Sequence, residues 1–115
     1  MSRPETPMAR LVAVGTALRD VALVRLRAAA QECRRLEAEI AALDARARLA
    51  EADGDIAARA VAGEIRARLH AQQRAALNAA LARARVEEAA QLRLASRAFG
   101  REQALNGLLY RAQDR

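Results

Sequence analysis

After Pro7 the 115-residue chain contains no proline, and its strongest later break is Asp53-Gly54-Asp55. That punctuation constrains the fold more than any other feature, because it leaves room for two long helices and one turn. Gly54 can take the left-handed conformation that closes a helix, and Asp55 can cap the next one. At the front, Thr6-Pro7 is a helix start. The Thr hydroxyl can accept a bond from a free backbone N–H, and Pro is preset for the first helical position. The spacing predicts a flexible lead over residues 1–7 and a single helical hairpin over 8–115. Its parts are a helix over about 8–52, a turn over about 53–55 and a helix over about 56–112.

The first helix carries a seam at Leu11, Val14, Leu18, Ala22, Leu26, Ala29, Cys33, Leu36, Ile40, Leu43, Ala47 and Ala50. From Leu26 onward the steps alternate three and four, the heptad pattern of a coiled coil. Two successive steps of four between Leu18 and Leu26 predict a phase shift and local unwinding there. The second helix carries Val61, Ile65, Leu69, Gln73, Leu77, Leu81, Ala84, Glu88, Leu92, Ala95, Phe99, Leu105 and Leu109, a stripe that drifts and is weakened at Gln73 and Glu88. Gly63, Gly100 and Gly107 each cost roughly 1 kcal/mol relative to Ala in a helix interior. Two registers match apolar with apolar. A tight turn would leave residues after about 100 projecting beyond the N-terminus, whereas a longer loop reaching Gly63 would pair Leu11 with Leu105. The tight turn is the preferred expectation.

Composition supports the same fold class, all-α, with two long helices forming an antiparallel coiled-coil hairpin. Hydrophobic residues make up 53% of the chain but aromatic ones only 2%, Phe99 and Tyr110. Alanine, the most abundant residue, is too small to fill the centre of a globule yet suits a narrow seam between two helices. The single Cys33 cannot form an internal disulfide and reads as a small hydrophobe in that seam. A reducing, cytoplasmic setting is the expectation. No apolar run approaches the ~20 residues of a membrane span, and the start has no signal-peptide core.

Chemical motifs are missing from the pattern. His70 is the only histidine, it has Arg66, Arg68 and Arg74 nearby, and no Cys, Asp or Glu stands three or four residues away to complete a metal site. Glu87 and Glu88 point about 100° apart on a helix, so they cannot work as an acid–base pair. The serines and threonines lack an activating His–Asp pair, and the five glycines form no phosphate-cradling loop. The chain is expected to be no enzyme and to take no cofactor or metal.

The net charge is +6, and all 20 basic residues are arginine. Guanidinium forks suit an acidic partner, carboxylate or phosphate. Between Glu64 and Glu87 lie Arg66, Arg68, Arg74, Arg83 and Arg85 with no acid among them, which makes the second helix the basic one. Nucleic acid is not the expected partner. These arginines project around several sides of the helix, no aromatics are present to stack bases, and helix one is interlaced with Glu32, Glu37, Glu39 and Asp44.

Taken together, Arg10-Leu11, Leu18-Arg19-Asp20, Leu26-x-x-Ala29 and Leu36-Glu37-Ala38-Glu39-Ile40-Ala41-Ala42-Leu43 resemble the opening pattern of the FliJ/YscO family. In that family it is spaced leucines, an Arg–acid pair and a Glu- and Ala-rich first helix. Leu69-His70-Ala71-Gln72-Gln73 through Ala98-Phe99-Gly100-Arg101-Glu102-Gln103-Ala104-Leu105 looks like the returning helix. The family comprises helical-hairpin proteins of flagellar and type III secretion export. The resemblance implies a non-enzymatic stalk whose terminal end enters a hexameric export ATPase and stimulates it. It also implies contact with the cytoplasmic part of the export gate further along, and with export chaperones. The ATPase-facing surface would then lie near Leu11, Leu18, Arg101, Leu105, Leu108 and Leu109. The alternative is a generic coiled-coil scaffold or adaptor that homodimerises or binds a partner helix.

Overall fold

The computed structural model describes residues 6–52 and 56–114, with the side chains of 56–59 outside the description. Two helices account for nearly all of it: α1, Pro7–Ala52, and α2, Ile56–Gln113. No strand occurs among the described residues. The chain is all-α, two long helices paired antiparallel as a hairpin. The turn expected at 53–55, the Asp55 cap and most of the lead lie outside the described residues. At the start of α1, the Thr6 hydroxyl accepts a hydrogen bond from the Ala9 N–H at 3.1 Å, and the Thr6 carbonyl accepts one from the Arg10 N–H at 3.1 Å. A donor that the first helical turn would otherwise leave free is thereby satisfied. Ala, Leu, Arg, Glu and Gln dominate α2, and their high helix propensity carries it through Gly63, Gly100 and Gly107.

Tertiary contacts group into two units, residues 1–29 with 87–115 (the terminal unit) and residues 30–86 (the distal unit). In the distal unit Cys33 and Leu36 of α1 are buried against Leu81 of α2, with Ile40, Leu77, Ala80 and Ala84 packed around them. This is the heptad seam expected from the sequence, and Cys33 sits in it as an apolar residue. Arg85 reaches Glu37 across the pair at 3.5 Å.

The terminal unit is built differently. Its buried positions are Gly15, Ala29, Ala95, Ala98 and the acidic Glu102. A Cβ on Gly15 would stand 2.9 Å from Leu105 Cδ1 and at an ordinary 3.9 Å from the Glu102 Cα, so the missing side chain leaves the space that the Leu105 methyl fills. Arg19 lies across the same seam and bonds Glu102 at 2.8 Å.

These contacts correct two expectations. First, the less exposed positions of α1 run Val12, Gly15, Arg19, Ala22, Leu26 and Ala29, and on through Cys33, Leu36, Ile40, Leu43 and Ala47. The steps alternate three and four throughout, so there is no phase shift between Leu18 and Leu26. Leu11, Val14 and Leu18 are exposed instead of forming the seam. On α2 the stripe likewise runs through Leu77, Leu81, Ala84, Glu88, Gln91, Ala95, Ala98, Glu102, Leu105 and Leu109. Val61, Ile65, Leu69, Gln73, Leu92 and Phe99 are exposed. The reason is mechanical: each knob needs a hole on the facing helix, and a phase change on one helix would misplace all later knobs unless the other changed in step. Second, Leu105 lies beside Gly15 and Glu102 beside Arg19. The end of α2 therefore packs along the start of α1 rather than projecting past it as the tight-turn register would have it.

Candidate partner-docking face

Because the seam of the terminal unit passes through Val12, Gly15, Arg19 and Ala22, the residues one position ahead form a second stripe. Leu11, Val14, Leu18 and Val21 repeat at the same three-and-four spacing, about 100° around α1 from the seam. All four are between 45% and 56% exposed. On α2 the residues one position ahead of the seam are Glu87 and Ala90, then Leu94, Arg97, Arg101, Ala104 and Leu108. Leu94 and Leu108 are each 46% exposed. Antiparallel pairing turns both stripes to the same side of the unit. Four residues back from the Gly15–Leu105 approach, Leu11 comes level with the Leu108–Leu109 turn. By the same register, Leu18 comes level with Arg101.

Of the six residues expected at a partner-facing end, the fold thus brings Leu11, Leu18, Arg101 and Leu108 to one exposed face. Leu105 and Leu109 are half-buried seam residues that hold α2 against α1. Val14, Val21 and Leu94 belong to this face and were not singled out in advance. Counting heptad steps backward from Leu26 gives Ala22, Arg19, Gly15 and Val12, and that count was the signal that could have revealed Val14 and Val21.

Charge on the face is one-sided. The only carboxylate between Met8 and Arg27 is Asp20, and the only one between Arg93 and Leu108 is Glu102. Both are engaged by Arg19, at 3.0 and 2.8 Å. The hydrogen bond to Asp20, foremost, raises the Arg19 guanidinium above its ordinary pKa, and Glu102 adds to the effect. Arg19 also lies over the Phe99 ring, 5.6 Å from its centroid. Arg10, Arg25, Arg93, Arg97 and Arg101 have no ion pair among the described residues.

The arginines of the basic segment behave differently. Arg68 bonds Glu64 at 2.8 Å, Arg74 bonds Asp44 at 3.1 Å, and Arg85 meets Glu37. Three of the five are therefore neutralised by carboxylates, two of these from α1, while Arg66 and Arg83 have no ion pair among the described residues. The sequence presents α2 as the basic helix, but pairing across the hairpin removes much of that character.

His70 does have a carboxylate partner, contributed by the other helix: Asp44 Oδ1 lies 2.9 Å from His70 Nε2. Asp44 binds Arg74 as well, and these two neighbours, Arg74 first, hold its carboxyl below the ordinary range. Beside this triad the distal unit has an open groove of about 540 Å³, with Leu43, Ala47 and Leu69 as apolar lining and Arg46 and Arg66 among its charged residues. Among the described residues no group of three or more His, Cys, Asp or Glu side chains could hold a metal ion. No described helix is long and apolar enough to cross a membrane.

The fold and this face define a two-helix hairpin with a second, uncovered heptad stripe at its terminal unit. No family model matches the chain, and no curated protein or solved structure was found to match it.

Proposed function

We propose that this protein is a non-enzymatic coiled-coil stalk of a flagellar or type III protein export apparatus. In this reading it binds and stimulates the hexameric export ATPase through its terminal unit and links it to the cytoplasmic part of the export gate. The observation that carries the reading is the face made by Leu11, Leu18, Leu108 and Arg101. A hairpin that worked alone would gain by burying those leucines, because contiguous exposed apolar residues invite aggregation. The FliJ/YscO-like leucine and Arg–acid spacing supplies the identity of the partner. The alternative, an adaptor that pairs with a second copy of itself, fits less well, since two copies of this face would bring arginines against arginines.

The test is stimulation of the export ATPase by the purified chain. The triple variant Leu11→Ser/Leu18→Ser/Leu108→Ser should keep its helicity and lose most of the stimulation. Neutralising Arg66 and Arg83 should change it little. Full stimulation by the leucine variant, or failure of the wild-type chain to bind the ATPase, would overturn the proposal.

A further inference from the structure

We infer that the terminal face receives a single acidic amphipathic helix from a partner protein, laid along the hairpin as the third helix of a bundle. The inference rests on the terminal unit being the docking end and adds the chemistry of what docks there. Shape is the first argument. Leu11, Val14, Leu18 and Val21 span about 15 Å of α1 at ~1.5 Å per residue. On the same side Leu94 to Leu108 spans about 21 Å of α2. An apolar ridge on α1 beside a row on α2 that is apolar at its two ends and carries Arg97 and Arg101 between them, on helices packed roughly 8–10 Å apart, makes a groove that suits the apolar stripe of one more helix. A matching partner segment has about four turns.

Charge is the second argument. Arg25 continues the α1 stripe beyond Val21, and Arg97 and Arg101 interrupt the α2 stripe, with Arg10 and Arg93 close by. Between Leu94 and Leu108 the row carries no carboxylate to neutralise them, and Glu87, two turns before Leu94, accepts a hydrogen bond from Gln91 at 2.7 Å. Guanidinium forks at such rims fit Glu and Asp side chains flanking the apolar stripe of an incoming helix. A second copy of this face would set the same arginines against these arginines. An anionic lipid surface fits less well, because the face has no aromatic residue to sit at a headgroup boundary. Phe99, near Arg19, lies on the opposite edge of the seam, one residue after Ala98 rather than one before.

The experiment uses the full chain and synthetic helical peptides. One peptide carries Leu at three-and-four spacing with Glu at the flanking positions, and its twin carries Lys there. Fluorescence anisotropy should show saturable one-to-one binding of the Glu peptide, weakened by salt, and at least tenfold weaker binding of the Lys peptide. Arg97→Glu/Arg101→Glu should invert that preference, and Leu18→Ser should weaken the Glu peptide at least tenfold with helicity unchanged. Equal binding of both peptides, or no binding of the Glu peptide, would overturn the inference. So would binding to phosphatidylglycerol vesicles without peptide binding, or a dimer in sedimentation that Leu18→Ser dissociates. Peptide binding by a chain that fails to stimulate the export ATPase removes the export reading alone. Stimulation undiminished in Arg97→Glu/Arg101→Glu removes the acidic-helix inference alone.

Discussion

Leu36 and Leu18 are both leucines at heptad-like spacing on α1, and alanine at each position separates the observed seam from the apparent one. Leu36 is 4% exposed and packs on Cys33 and Leu81, whereas Leu18 is 45% exposed. Removing three buried carbons at ~0.8 kcal/mol each gives about 2.4 kcal/mol, and an incompletely collapsed void adds to it. A two-helix seam has solvent close by and can relax, so the total for Leu36→Ala should sit near 3 kcal/mol, in the lower part of the ~2–5 kcal/mol range. Leu18→Ala removes atoms already half in water, and alanine is the better helix former, so its cost should stay below about 1 kcal/mol. At ~4–8 °C per kcal/mol for a domain slightly smaller than this one, Tm should fall by about 10 °C or more for Leu36→Ala and by a few degrees at most for Leu18→Ala. Urea and thermal unfolding followed by far-ultraviolet circular dichroism measure both. Equal losses for the two variants would refute an unbroken heptad through Gly15 and Arg19.

A Cβ at Gly100 would meet no other atom within 4 Å, so Gly100→Ala should stabilise the chain by about 0.5–1 kcal/mol, read as a higher urea midpoint. At Gly15 the contrast is sharp: Gly15→Leu would collide with Leu105 and crowd the Glu102 backbone, lowering stability by roughly 1–3 kcal/mol. Arg19→Met should lower Tm because it leaves Glu102 buried without its partner, while Arg19→Met/Glu102→Leu should recover that loss or exceed the wild type; a double variant less stable than the single one would contradict this. The Asp44 carboxyl is depressed by Arg74 and His70, so its contribution is present above the ordinary carboxylate range and is lost as pH falls through the depressed folded value. Asp44→Asn should therefore melt lower than wild type at neutral pH, with the two converging in acid.

Much of the fold was legible in the sequence because its evidence is local. The absence of proline after Pro7, the Thr6-Pro7 start and the alternating steps from Leu26 to Ala47 specify helices, a cap and a seam by rules that act within a few residues. The aromatic-poor, alanine-rich composition specifies a narrow interface rather than a globular core. The terminal unit was read less well, because hydrophobicity there pointed to Leu11, Val14, Leu18, Leu92 and Phe99. Tertiary structure selected Gly15, Arg19, Gln91, Ala98 and Glu102 instead. A paired helix keeps the phase that its partner's holes require, and the absent side chain of Gly15 and the Arg19–Glu102 ion pair make polar and small residues acceptable in that phase. The leucines and valines displaced from the seam became the exposed face. The pairing of Asp44 with His70 and Arg74 was out of reach for the same reason, since it joins positions on different helices and depends on a register that no local pattern encodes.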